Sequence, residues 1–449
     1  MKRLFFLSLI LFSFFGGLLG QPASNINAPK WSFDKVIYEV NLRQFTESGT
    51  IKEFMQHLPR LKELGVGILW FMPIHPIGEL NRKGTLGSYY SVKDYFDVDP
   101  NLGTKDDFRQ LVSEIHKLGM YVIIDWVANH TSWDNGWTVS NPDFYKRDSL
   151  GNFVPPVPDW SDVIALDYNN KGLWQEMNRA LEYWVRDFNI DGYRCDVAGM
   201  VPTPYWNQLR PKLEAIKPVF MLAEWEDPAL HTDAFDMTYS WNLHHLMVEV
   251  IKGKANSIAI TNLIEKELKD YPKNAFRMRF TTNHDENSWN GTEFEKFGDG
   301  AKPLAVLCTT LPGMLLIYSG QEAGNTDRLD FFEKDPIKWK ESEFTPFYKS
   351  LTTLKKEYSP LHNGMQGGDF LSVKMITKKR DQVASFIRSR DNQKILVIAN
   401  LTSETADISL TTREAFGTYT DYFTGEKLTV KKKNKLVLKG WEYKVLIAR

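Results

Sequence analysis

The chain has 449 residues, 43% of them hydrophobic, enough for one large barrel with additions or for two or three domains. Fifty-five basic residues balance 56 acidic ones, so nothing calls for a nucleic acid or an anionic membrane as partner. Fourteen tryptophans and 13% aromatic residues suit a large core or a sugar-stacking surface, and composition does not choose between them.

Lys2 and Arg3 precede an apolar run from Leu4 to Phe15, followed by Gly16, Gly17 and Gly20. That is the layout of a secretory signal peptide over residues 1–20, cleaved near Gly20. The run is too short to favour a membrane span, and no cysteine near the cut invites a lipid. The expectation is a secreted or periplasmic protein with no stable membrane anchor after cleavage. An uncleaved anchor is the alternative.

Eight apolar, strand-like segments follow, at 36–45, 67–74, 120–127, 192–198, 219–225, 234–241, 276–284 and 314–320. Helix-periodic stretches lie between them, at 51–64, 105–118, 173–188 and 205–216. The alternation predicts a closed parallel (β/α)8 barrel over residues 30–360. A doubly wound open sheet would carry a Gly-rich phosphate turn after an early strand, and there is none. The stretch from His130 to about Asn170 is too long for a connecting loop and predicts a small inserted domain, residues 130–171, after the third strand. Beyond a helix at 347–357 the texture changes to short alternating runs, which predict a C-terminal antiparallel β-sandwich over residues 361–449. Cys195 and Cys308 sit in apolar contexts and are expected as buried free thiols; no Cys/His metal spacing occurs.

Four of the predicted strands end in acids or histidines: Tyr121-Val-Ile-Ile-Asp125, Gly192-Tyr-Arg-Cys-Asp196, Val219-Phe-Met-Leu-Ala-Glu224 and Phe280-Thr-Thr-Asn-His284-Asp285. Parallel strands that finish this way at one end gather their side chains into one pocket. Asp196 and Glu224 end the fourth and fifth strands. Glycosidic cleavage needs an acid for the leaving oxygen and a second carboxylate, and at about 5–5.5 Å the second is a nucleophile and configuration is retained. Neighbouring strands lie about 4.8 Å apart, so their carboxylates can reach that spacing. Any barrel enzyme using two acids fits as well.

The motifs Asp125-x-x-x-Asn129-His130, Gly192-x-Arg194-x-Asp196, Glu224 after an apolar strand, and Asn283-His284-Asp285 resemble, in order, the four signature regions of the α-amylase family, glycoside hydrolase family 13. Leu69-Trp-Phe-Met-Pro73, Tyr89-Tyr90 with Asp94-Tyr95, Asp99-Pro100 and Ile317-Tyr-Ser-Gly-Gln-Glu322 agree, so the resemblance spans nearly all of the mature chain. It implies that Asp196 is the nucleophile, Glu224 the general acid and then base, and Asp285 the holder of the sugar's 2- and 3-hydroxyls. Arg194 would keep Asp196 ionised, while the surroundings of Glu224 would raise its pKa. His130 and His284 would bind sugar hydroxyls, Tyr90 would stack on the same sugar, and Asp125 would orient Arg194. Relatives often hold a structural Ca²⁺; here Asn129, Asp167 and the backbone carbonyl of Met200 match its ligand positions, and the ion's presence is left open.

The resemblance implies a secreted, retaining hydrolase of α-1,4-glucosidic bonds in starch or maltooligosaccharides. Alternatives are an α-1,6-glucosidase, a cyclodextrin or maltogenic hydrolase, or a transglycosylase; a non-catalytic glycan-binding protein is the rival from another class. Many relatives carry Lys-His where this chain has Gly199-Met200, so the leaving-group side is expected to be built differently. Val197, after the nucleophile, further loosens the bond-type assignment.

Overall fold

The structure, a computed structural model, describes residues 23–377 and 382–448; the predicted signal peptide, residues 1–20, lies outside the described residues. Eight parallel strands close into a barrel: β1 (Ile37–Val40), β2 (Ile68–Phe71), β3 (Tyr121–Trp126), β4 (Gly192–Cys195), β5 (Phe220–Ala223), β6 (Met237–Tyr239), β7 (Phe276–Arg279) and β8 (Met314–Tyr318). Each strand neighbours the next in sequence, and β8 pairs with β1. All eight predicted strands are present. The first is shorter than expected: after Val40 the chain turns into a short helix, Leu42–Phe45.

Strand alternation divides the side chains between two cores. Ile37, Trp70, Ile123, Leu222, Met278 and Leu316 fill the barrel interior. Tyr38, Leu69, Val122, Tyr193 and Ile317 point outward against the helices. Helix Lys105–Lys117 shows how the outer layer forms. Thr104 caps it, the Asp107 side chain returns the bond to the Thr104 amide, and Phe108, Leu111, Val112 and Ile115 face inward. Gly192 begins β4 at φ 146°, where a Cβ would sit 1.9 Å from the Phe220 carbonyl oxygen, so no other residue fits there.

Between β3 and β4 the chain makes its own small sheet, His130–Ser132 antiparallel to Val163–Ala165, before helix Lys171–Asp187. The far end of the barrel is closed by the N-terminal segment. Trp31 stacks on Tyr121 at 3.9 Å, Asn25 bonds Thr232 and Asp233, and Asn274 bonds Ser24. These partners all precede or open their strands.

The C-terminal part holds two antiparallel sheets. One has six strands, centred on Val383–Arg390, Gln393–Asn400 and Tyr443–Ala448; the other joins Met375–Thr377, Ala406–Leu410 and Leu436–Leu438. Alternation again sorts the residues: Phe386, Ile395, Val397 and Val445 pack on the barrel's core, while Ile387, Leu396, Ile398 and Leu446 pack on the smaller sheet. Cys195 and Cys308 are buried free thiols, as expected.

Candidate active site

The carboxyl ends of β3, β4, β5 and β7 meet around Arg194. Asp125 and Arg194 are register partners on β3 and β4, and both are fully buried. Arg194 Nη1 donates to Asp125 Oδ1 at 2.8 Å and to Asp196 Oδ1 at 3.0 Å. Its Nη2 lies 2.8 Å from Glu224 Oε1 as an ion pair, and its Nε donates to the Tyr239 hydroxyl at 3.3 Å. One guanidinium therefore spans the two carboxylates on which glycosidic chemistry would turn, which keeps them close together.

The second Asp125 oxygen accepts from Trp70 Nε1 at 3.2 Å and from the Tyr90 hydroxyl at 3.0 Å. Asp125 thus organises Arg194, Tyr90 and the barrel floor. Tyr90 gives its one proton to Asp125, so it accepts from His284 Nε2 at 2.8 Å. Across that ring, His284 Nδ1 lies 2.5 Å from Glu39 Oε1, and Nε2 is also 3.3 Å from Asp285 Oδ2. Both imidazole nitrogens therefore face acceptors. Burial alone would lower the pKa of His284, but the Asp285 and Glu39 carboxylates outweigh it and hold it well above its ordinary value. His284 is an imidazolium that pins Asp285 beside the two other acids.

The carboxyls differ in their settings. Burial raises the pKa of Glu224, against the pull of Arg194 and with help from Asp285. Asp285 is lowered: His284 overcomes its burial. Asp196 departs from expectation. Arg194 does pull it down, but burial and then the charge of Glu224 push it well above the carboxylate range. The two acids therefore titrate together, and protonating Glu224 removes one of the forces holding Asp196 up.

His130 is buried beside the Tyr90 backbone, edge-on to Trp160 at 5.5 Å, and burial pushes its pKa down to about 3, so it is neutral. Of the calcium ligands that the resemblance implies, Asn129 and Asp167 lie on paired segments, the Asn129 carbonyl accepting from the Leu166 amide at 3.1 Å. The Asn129 amide nitrogen lies 3.3 Å from His130 Nδ1, Asp167 Oδ1 accepts two bonds from Asn169, and Met200 is 36% exposed at the end of a 3₁₀ turn. Among the described residues no group of three His, Cys, Asp or Glu side chains could hold a metal. Calcium takes about six to eight oxygens with carboxylates among them. Asn129 and Asp167 would supply two such oxygens and the Met200 carbonyl a third.

Three features were missed from the sequence. Glu39 stands one residue before the end of β1, a lone acid in an apolar strand, so a signal like that of the other acids marks it. Val197 adopts φ 35°, ψ 48°, a left-handed conformation rare for a β-branched residue, and its amide donates to Glu224 Oε2 at 2.8 Å. The indole of Trp225 lies over Gly199, where a Cβ would come within 2.1 Å of the ring. That indole fills the space a side chain at 199 would take.

Known proteins agree with this geometry. The family model for the α-amylase catalytic domain matches residues 29–154 and 158–358, and that for the α-amylase SusG C-terminal domain matches 383–443. A maltogenic α-amylase from Thermotoga neapolitana superposes with a TM-score of 0.85 at 30% identity, covering 92% of this chain and 98% of that one. An α-amylase from Lactobacillus plantarum gives 0.83 at 30%, covering 93% and 99%. α-Amylase 2 of Dictyoglomus thermophilum is 26% identical over 90% of this chain and 75% of its own length. The chain is a glycosidase and belongs to the α-amylase family of glycoside hydrolases.

Proposed function

We propose that this is a secreted, retaining hydrolase of α-1,4-glucosidic bonds in starch or maltooligosaccharides. The observation that carries the reading is the Arg194 guanidinium placed between Asp196 and Glu224, with Asp285 held alongside by His284. Asp196 attacks the anomeric carbon while Glu224 gives its proton to the departing oxygen, leaving a β-glycosyl ester on Asp196. Glu224, now ionised, takes a proton from water, whose oxygen attacks the same carbon and releases Asp196. Asp285 stabilises the positive charge that develops on the sugar in both transition states. The raised pKa of Glu224 supports its role as acid, and the 1–20 segment supports export.

A maltogenic preference is the second reading. Trp225 over Gly199, one residue past the acid, would bound the leaving-group side with an indole face. An activity panel on starch, maltoheptaose, cyclodextrin, pullulan and isomaltose tests both. Hydrolysis of α-1,4 substrates with the α-anomer released first is expected, and Asp196→Asn and Glu224→Gln should each lower kcat by about a thousandfold or more. Unchanged turnover in either variant would sink the assignment. Product lengths dominated by maltose favour the maltogenic reading.

A further inference from the structure

A cavity of about 630 Å³ lies at the other end of the barrel from the catalytic acids, where the barrel meets the C-terminal sheets. One wall holds Arg277 and Arg279 of β7 with Gly313, which precedes β8; the opposite wall holds Gly368 and Arg388. The volume is that of a small-molecule site rather than of a single ordered water.

The walls carry more positive charge than they neutralise. On the barrel side the carboxylates are already in use. Glu267 accepts from Arg277 Nη2 at 3.2 Å and from Arg279 Nη2 at 2.5 Å, and Arg277 also pairs with Glu226. Arg388, on the strand Val383–Arg390, is the exception. It is 1% exposed, and among the described residues it forms no ion pair. Its Nη1 and Nη2 donate to the carbonyls of Thr310 and Gly368 at 2.8 and 3.1 Å. Its buried Nε donates to nothing. Lys355, fully buried behind Gly313, binds that residue's carbonyl and adds a second cation without a carboxylate in contact. Asp369, exposed on the edge strand of the sheet, attracts Arg388 through space without touching it.

A buried charge with no counter-ion is costly. Burial and the neighbouring Arg279 push Arg388 down to about 9, which still leaves it a cation at neutral pH. Its two carbonyl bonds account for a donor at this position but not for the charge, since a neutral amide would also donate. A guanidinium beside a cavity is suited to an oxyanion, whose oxygens match its planar fork of N–H groups.

We propose that this cavity is an anion site that takes the phosphoryl group of inorganic phosphate or of a small phosphate ester, with Arg388 as its counter-charge. The ligand would touch the barrel on one side and the C-terminal sheet on the other, and so would hold the two together. The site is separate from the catalytic acids and does not depend on which glucan the enzyme cleaves.

The test uses the full chain in chloride buffer at constant ionic strength. Isothermal titration with inorganic phosphate and, separately, with glucose 1-phosphate should show saturable binding of at least one, and the two arms tell the free ion from the ester. Binding of neither to the wild-type chain overturns the site without recourse to any variant. Phosphate at about ten times its dissociation constant should raise the melting temperature by about 2 °C. Arg388→Gln keeps a donor for the carbonyls but removes the charge, and should abolish both the saturable heat and this rise. Arg388→Lys keeps the charge without the fork and should bind about tenfold more weakly. An equal rise in wild type and Arg388→Gln would mark a general salt effect and overturn the site.

Discussion

At the scale of single residues, the site depends on where protons rest. Glu224 has a raised pKa, so its acid form persists above the ordinary carboxylate range and is lost as pH rises through the raised value. The alkaline limb of kcat/KM should therefore belong to Glu224, and a profile of any residual Glu224→Gln activity should lack that limb. The Glu39–His284 pair acts differently. Because His284 is raised, the pair's stabilisation is lost as pH climbs past that raised value; burial raises Glu39 as well, so on the acid side it is lost as Glu39 takes up its proton. Glu39→Gln leaves the buried imidazolium with Asp285 as its one carboxylate and should cost about 3 kcal/mol near neutral pH, with the gap to wild type closing in alkali. Thermal melts across pH check this; a constant gap would show that the pair does not titrate. Glu39 was legible in principle, as the lone acid among Ile37, Tyr38 and Val40. It was missed because 36–45 was taken as one strand, which hid the strand's end.

At the scale of elements, backbone constraints place the chemistry. Gly192 lets β4 approach β5 closely enough to bring Asp196 to Glu224. Gly192→Ala should destabilise the fold by about 3 kcal/mol, combining a clash with a forbidden φ, as read from the urea midpoint. Gly199 makes a contrasting case: it is exposed, and a methyl group there need only displace the Trp225 ring. Gly199→Ala should keep the melting temperature within about 1 °C, because exposed sites have small effects. It should change product lengths from maltoheptaose, and an unchanged pattern would remove Trp225 from leaving-group recognition. The barrel strands were legible because each is a short apolar run, four of them with a charged end. The left-handed Val197 was not, since no periodicity marks a strained turn. The C-terminal sheets announced themselves by alternation. Which strand joins which sheet was hidden, because Met375–Thr377 and Val383–Arg390 go to different sheets.

At the scale of the whole molecule, barrel and C-terminal sheets share one apolar interface. Phe386, Ile395 and Val397 join the barrel's core, and Arg388 Nη1 binds the Thr310 carbonyl at 2.8 Å. Removing residues 369–449 should expose that face and yield aggregated protein, whereas the full chain should unfold in a single calorimetric transition; two separate transitions would contradict a shared core. EDTA tests the calcium expectation: a fall in melting temperature or turnover would show an ion held near Asn129 and Asp167, and no change in either would show that fold and chemistry do without it. The N-terminal segment has a practical meaning of its own. Asn25 and Trp31 bind the barrel at the openings of its strands, whereas Asp196, Glu224 and Asp285 stand past their closing ends. The molecule is therefore polar from end to end: immobilised on a bead or displayed on a cell through a linker ahead of Ser24, it would hold its cleft outward, open to polymer too large to diffuse behind it.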